Sequence, residues 1–292
     1  SMHQDPNMRT NPMGIVSSIS GTLNFNLGAH YKIRGGNCGF VSACSSSSHA
    51  LGYATDEITA GRFDRVIVVG AEEPNTDSLL PFMGMKALST NPDPSKASRP
   101  FDQARDGFVG SGGATVVVVE SEESAARRQI KPYTEILGWG QSSDGFNIAM
   151  PHPEGEGLVR AIRRALKACG LAPDDVGYIN AHATSTPQGD RAEATALQNV
   201  FSAVGAHPVI SSTKGLTGHP LSMAGAMEAA FCALAHRQEF IPGNANLIQP
   251  DPVCDNLNLP RETLDRSPGV TLSNSSGFGG SNVVLAFRPI EQ

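Results

Sequence analysis

The sequence predicts an α/β fold, and three observations carry that prediction. Short β-branched runs alternate with helical stretches along the chain. Several of those helical stretches are rich in small residues, which suits close packing, and the chemistry-bearing side chains fall where strand-like runs end. Composition fits one large double domain or two smaller ones: 292 residues, 39% hydrophobic and 17% charged. A net charge of -6 without any basic block argues against a nucleic-acid partner. The absence of an eighteen-residue apolar run, and of a charged-then-apolar leader, argues against a membrane span and a secretory signal. Five cysteines, Cys38, Cys44, Cys169, Cys232 and Cys254, are odd in number and irregularly spaced, which favours reduced thiols in a cytoplasmic compartment. Cys38, Cys44 and His49 lack the paired spacing of a zinc site, and no metal is expected.

The elements follow in chain order. Ser1-Met2 reads as the remnant of an expression tag, and the polar run after it has no direction until Asn11-Pro12 offers an N-cap and a first helical position. Residues 13–27 read as one helix. Residues 37–43 (NCGFVSA) read as a short buried strand, followed by a packed helix that opens on four serines and runs through His49 to about Ala60. Runs at 66–70 (VIVVG) and 115–120 (TVVVVE) have strand length and β-branching. Residues 98–113 form an irregular loop that Phe101 and Phe108 fold against the core. At 158–169 Leu158, Ile162, Leu166 and Cys169 share a face opposite Arg160, Arg163, Arg164 and Lys167, and Gly170 stops the helix. Strands are expected at 178–181, 209–212, 270–273 and 282–287, and a small-residue helix at 221–236.

Four corners carry chemistry. Cys44 sits where a strand meets a helix start, and a helix N-terminus lowers a thiol pKa from ~8.5 into a range of roughly 3.5 to 7.5. A nucleophilic thiolate is one reading and a buried small hydrophobe the other. His182 follows the strand YINA, with Thr184, Ser185, Thr186 and Pro187 beside it. Lys214 and His219 precede the second small-residue helix, and Gly277, Gly279 and Gly280 surround Phe278 between two apolar strands. Singly, each histidine reads equally well as a hydrogen-bonded structural residue, Lys214 as a surface lysine and Phe278 as a core aromatic. His49, one turn inside its helix, reads as a packing residue. Together, a thiol, two imidazoles, a lysine and a glycine-hinged aromatic at strand-end corners describe an acyl-transfer site.

VSACSSSSHALG, SRPFDQARDGFV, AHATSTPQGD, STKGLTGHPLSMAGAMEA and SNSSGFGGSN resemble the signature segments of the β-ketoacyl-[acyl-carrier-protein] synthases of the thiolase fold. The resemblance runs from about Asn11 to the C-terminus. Two histidines resemble the elongating types I and II, not the initiating type III, and GSGGATVVVVE is closer to type I. It implies two pseudo-equivalent βαβ halves, 1–130 and 131–292, stacked as α-β-α-β-α layers. Cys44 would carry the acyl chain and His182 and His219 would stabilise the enolate from decarboxylated malonyl-acyl carrier protein. Lys214, paired to Glu228, would tune them. The backbone of Cys44 and Phe278 would form the oxyanion hole, Phe278 between Gly277 and Gly279 would gate, and Thr184 and Thr186 would hold the pantetheine arm. No cofactor is implied; acyl carrier protein and a second copy of the chain are the implied partners. The pathway is fatty acid synthesis, with a polyketide ketosynthase or a non-catalytic partner subunit like the chain-length factors as alternatives.

Departures from the family pattern are Ser47, Ala183 and LSMAG at 221–225; Ala183, one methyl larger than the family's glycine, and Met223, with its added bulk, are expected to reshape the acyl pocket. The family's first strand precedes the helix that begins here near Asn11 and is expected to be missing. A chain of these residues alone is then expected to condense poorly, because neighbouring strands would carry unpaired backbone groups.

Overall fold

The computed structural model of the protein describes residues 11, 13–19 and 21–290. By internal contacts the chain divides into two units, residues 1–40 and 41–292. In the first unit, α1 (Gly14–Ser18) and α2 (Thr22–His30) replace the single helix expected over 13–27. The break has a backbone cause: Ile19 is extended, and Gly21 enters α2 with φ 94. The N-cap position falls at Met13 and carries no side-chain cap, so Asn11 is not the cap expected of it; its Oδ1 accepts the Met13 N–H at 2.9 Å just before the helix. Pro12, the polar run before Asn11 and the expected tag lie outside the described residues.

The strand expected over 37–43 is not formed. Residues 37–41 are irregular, Val41 is 85% exposed, and the regular pairing nearest Cys44 is one isolated bridge between Ser42 and Cys44. An apolar run becomes a buried strand where a sheet receives it, and this run stays at the surface.

The second unit begins with α3 (Ser46–Thr59), β1 (Arg65–Glu72), α4 (Thr76–Gly84), α5 (Pro94–Ala97), β2 (Gly113–Glu120) and α6 (Glu122–Arg127). It continues with β3 (Glu135–Ser143), α7 (Glu156–Cys169), β4 (Val176–Asn180), α8 (Pro187–Val200), β5 (Val209–Ser211), α9 (Lys214–Thr217), α10 (Ala224–Gln238), β6 (Val270–Gly277) and β7 (Ser281–Arg288). Strands β1 and β2 pair antiparallel, and the second sheet has the order β3-β7-β6-β4-β5. In that sheet β4, β5 and β6 run parallel, while β7 is antiparallel to both β6 and β3. The class is α/β, as expected, with a mixed sheet at its centre.

Helices α3 and α10 lie between the sheets, each touching β1 and β2 on one side and strands of the larger sheet on the other. Leu51, Ala54, Val68, Val119, Ala229, Cys232, Leu285 and Phe287 fill this layer. The outer layer is α7 and α8; Leu158, Ile162 and Leu166 pack inward with Ile179, Leu197 and Leu272, while Arg163, Arg164 and Lys167 stay exposed. Gly170 ends α7 with φ 65. The far face of β1 and β2 leaves Ile67, Val116 and Val118 exposed.

The small residues of α3 let α10 approach it closely. A Cβ at Gly225 would overlap Ser48 Oγ and come within 2.8 Å of the Ser48 backbone nitrogen. Two serines make use of the proximity: Ser47 Oγ accepts the Ala226 N–H at 3.0 Å, and Ser48 Oγ shares a hydrogen bond of 2.7 Å with Ser275 on β6. Gly225→Val should therefore destabilise the protein by roughly 1 to 3 kcal/mol through overpacking. A urea midpoint equal to that of the unsubstituted protein would show that the helices can move apart freely.

Candidate active site

Because β4, β5 and β6 are parallel, their C-terminal ends open at one edge of the sheet. His182 follows β4, Lys214 and His219 follow β5, and Phe278 follows β6. Cys44 reaches the same edge from the start of α3. One cavity of about 370 Å³ is lined by Cys44, His182, His219, Thr184, Thr186 and Phe278, among others. The dispersed sequence corners thus converge as expected.

Cys44 sits on a sharp turn. Ala43 has φ 50, a left-handed conformation that costs a non-glycine residue about 1 to 2 kcal/mol. Within the turn Ser45 N donates to Ser42 O at 3.2 Å, Ser46 N to Ala43 O at 3.1 Å, and Ser42 N to Ser46 Oγ at 2.9 Å. Ser45 Oγ donates to Ser281 Oγ at 2.9 Å, which ties the turn to β7. Gly277 is needed here for space: its φ is -128, an ordinary extended value, but a Cβ would stand 2.7 Å from Ser42 O and 3.1 Å from Cys44 N. Gly279 is left-handed at φ 79, and its N–H donates to Ile148 O at 2.7 Å and so does not point free into the cavity.

The thiol does not behave as a helix end alone would dictate. Burial pushes Cys44 up to about 12, against the lowering pull of Lys214. Desolvation of a thiolate in this cavity outweighs the helix dipole, so the resting group is a neutral thiol. Burial also drives both imidazoles well below the ordinary histidine value, followed by the Lys214 charge, and for His182 by His219 as well. Both rings are neutral at physiological pH. They meet edge to face with centroids 5.2 Å apart, and neither Nδ1 has a protein partner.

Lys214 is fully buried and its Nζ donates to Glu228 Oε1 on α10, the pairing expected from the cost of an unpaired buried ammonium. Burial raises Glu228 to about 7, with Lys214 opposing. Thr184 and Thr186 share a hydrogen bond of 3.1 Å on the cavity wall.

Several residues that the sequence reading did not single out hold the site together. Glu193 on α8 accepts the N–H groups of His182 at 3.0 Å and Ala183 at 2.7 Å, and Asn274 Nδ2 at 3.0 Å. Asp190 accepts the N–H groups of Ser185 and Phe101, joining the 98–113 loop to the His182 corner. Asp144 accepts from Asn282 Nδ2 at 2.7 Å and from His152 N at 3.0 Å, while its own N–H donates to Gly280 O at 2.8 Å. Phe82 on α4 lies between Phe278, at 5.7 Å, and Phe108, at 5.3 Å, and Phe108 stands edge to face on His219 at 5.4 Å. An acid in the first turn of α8 was a usable signal for Asp190; Phe82 had none, since an aromatic in a short helix reads equally as surface or core.

The departures from the family pattern fall elsewhere. Ala183 packs in the outer core, and Met223 lies against Gly70 and Gly113 of β1 and β2. Neither lines the cavity that Cys44 shares with the histidines. His49, expected to pack, does lie edge to face on Trp139, and it is also half-buried and hydrogen-bonded at both nitrogens.

Comparison with known proteins supplies independent information. Residues 1–125 match the model "Beta-ketoacyl synthase, N-terminal domain", and residues 133–248 match "Beta-ketoacyl synthase, C-terminal domain". The chain is 41% identical over 281 residues to 3-oxoacyl-[acyl-carrier-protein] synthase 2 of Staphylococcus aureus (strain COL), spanning 96% of this chain and 67% of that protein. A crystal structure of a beta-ketoacyl synthase from Burkholderia phymatum STM815 superposes with TM-score 0.91 at 33% identity, covering 97% of this chain and 68% of that one. A chain from a complex of a type II PKS acyl-carrier protein with its ketosynthase, bound to the hexaketide, also superposes at TM-score 0.91, with 28% identity, 96% of this chain and 70% of that one. No helix among the described residues is long and apolar enough to cross a membrane.

Proposed function

This chain belongs to the β-ketoacyl synthase family, and from that premise we propose that it condenses an acyl group held on Cys44 with malonyl-acyl carrier protein. The observation that carries the reading is the single cavity shared by a thiol and two neutral imidazoles.

In the first step the Cys44 sulfur attacks the acyl thioester of the carrier protein's pantetheine. The thiol proton ends on the departing pantetheine sulfur, so one thiol replaces another and a resting pKa of about 12 is no obstacle to the balance. Malonyl-acyl carrier protein then loses carbon dioxide, leaving an enolate whose oxygen accepts hydrogen bonds from His182 and His219. Neutral imidazoles suit this task, because they stabilise the oxygen without carrying a surplus proton to quench the carbanion. The carbanion attacks the acyl-Cys44 carbonyl, the C–S bond to Cys44 breaks, the β-ketoacyl product stays on the carrier protein, and the expelled thiolate takes one proton from solvent. Lys214 supports the pair through its charge, and Glu228 compensates that charge. Backbone N–H groups of Cys44 and Phe278 face the thioester carbonyl, Phe278 gates between its neighbours, and Thr184 and Thr186 hold pantetheine.

On this reading the protein elongates fatty acids in the cytoplasm as a homodimer, in two halves, 1–130 and 131–292. The 41% identity to 3-oxoacyl-[acyl-carrier-protein] synthase 2 favours it. A polyketide ketosynthase is the second reading, favoured by the superposition on the type II PKS complex.

Incubation with a long-chain acyl-carrier protein should raise the intact mass by one acyl group, mapped to Cys44. An unmodified thiol in a folded sample would overturn the proposal. With malonyl-carrier protein added, a product extended by one two-carbon unit supports fatty acid synthesis, and a product extended repeatedly without reduction supports the polyketide reading.

A further inference from the structure

The turn that presents Cys44 is strained at Ala43, and most of its hydrogen bonds close upon the turn itself. Two side chains on either side of Cys44 reach outward. Ser45, one residue after it, bonds to Ser281 at the start of β7. Ser42, two residues before it, shares a hydrogen bond of 2.8 Å with His49 Nδ1, one turn into α3. The other ring nitrogen, Nε2, bonds to Gln141 Oε1 on β3 at 3.0 Å. Gln141 faces Val283 and Ser143 faces Ser281 across the β3–β7 ladder, so both anchors end on the same pair of strands. The imidazole is held edge to face on Trp139 at 6.0 Å, and Trp139 Nε1 donates to Asp56 Oδ1 on α3 at 3.0 Å.

We propose that His49 is a positioning residue for the nucleophile: through the Ser42 hydroxyl it holds the left-handed turn that aims the Cys44 thiol and its backbone N–H at the bound thioester. His49 does not line the cavity and touches no substrate. Its effect passes through Nδ1, which bonds Ser42 Oγ at 2.8 Å and stands 3.2 Å from Ser45 O, while its bond to Gln141 and its contact with Trp139 fix the ring in place. The inference rests on the reading of Cys44 as the acyl carrier.

Two near-isosteric substitutions separate positioning from simple stability. Asparagine places a polar atom where Nδ1 stands and keeps the bond to Ser42; glutamine reaches toward the Nε2 position and keeps the bond to Gln141. The rate of Cys44 acylation by a long-chain acyl-carrier protein, followed by rapid quench and intact mass, should fall roughly tenfold or more in His49→Gln, since small misplacements of a reacting group are costly. It should stay within about threefold of the unsubstituted protein in His49→Asn, because asparagine preserves the bond through which the effect passes. Ser42→Ala should reproduce the His49→Gln loss, and combining the two should add little. Iodoacetamide alkylation of Cys44 should follow the same order, while the melting temperatures of His49→Asn and His49→Gln match. Equal acylation rates in those two variants, or rates that merely follow melting temperature, would overturn the proposal. If the unsubstituted protein is not acylated at all, the acyl-carrier reading fails on its own, and the alkylation order still decides whether His49 positions the thiol.

Discussion

Cys44→Ala is expected to abolish covalent acylation and to lower condensation by at least about 10³-fold, the scale on which loss of a covalent nucleophile is felt. Cys44 supplies the one thiol among the described residues lining the cavity, and no neighbour there can take over as acyl carrier. Cys232 and Cys254 are buried in other layers, and burial holds the Cys254 thiol at about 12. The loss should appear with the melting temperature nearly unchanged, because Cys44 already adjoins a cavity and its removal opens little new void. Single-turnover assays with acyl- and malonyl-carrier proteins measure it. Turnover within tenfold of the unsubstituted protein, or an acyl adduct mapped to another residue, would remove Cys44 from the mechanism.

His219→Ala and His182→Ala should each separate the two halves of the reaction. Condensation is expected to fall about 10² to 10⁴-fold, the range for removing a preorganised donor from a developing oxyanion. Acylation of Cys44 should change by less than about tenfold, since thiol exchange forms no enolate for these rings to stabilise. The pH dependence follows from the same environment. Both rings are held well below the ordinary value of 6.5, so each must be protonated at a pH far under that value before its neutral form is lost. The two rings should therefore contribute no acid limb to the condensation rate as pH falls through 6.5, whatever Glu228 contributes near 7. An acid limb centred at 6.5 in the unsubstituted protein, absent from both variants, would show that the rings are solvated during turnover.

Much of this arrangement was legible before any coordinates, for a physical reason. Where β4, β5 and β6 end, the apolar runs give way within a few small or polar residues to His182, Lys214 and Gly277, so strand and chemistry announce themselves together. The amphipathic period of α7 was equally plain. Strand β3 was not, because GWGQSS carries glycines and hydroxyls in place of β-branched residues; its stability comes from pairing with β7 and from α7 packing across it. Residues 37–43 misled in the opposite direction, having the composition of a strand without the sheet that would make them one. The Cys44 thiol shows the deeper limit. A helix start is visible in a sequence, but the burial that outweighs it comes from residues remote in the chain, such as His219 and Phe278, the latter more than two hundred positions away. The bond from Ser42 to His49 escaped for a simpler reason, since a histidine beside alanine and leucine looks apolar until its partners are seen.

The neutral state of Cys44 also bears on how long the protein survives in air. Peroxide attacks thiolates, and a sulfur that ionises only while a thioester is being exchanged offers peroxide almost no thiolate between turnovers. The same desolvation that keeps the resting thiol protonated works against sulfenic and sulfinic acid formation at Cys44, since both begin from the thiolate.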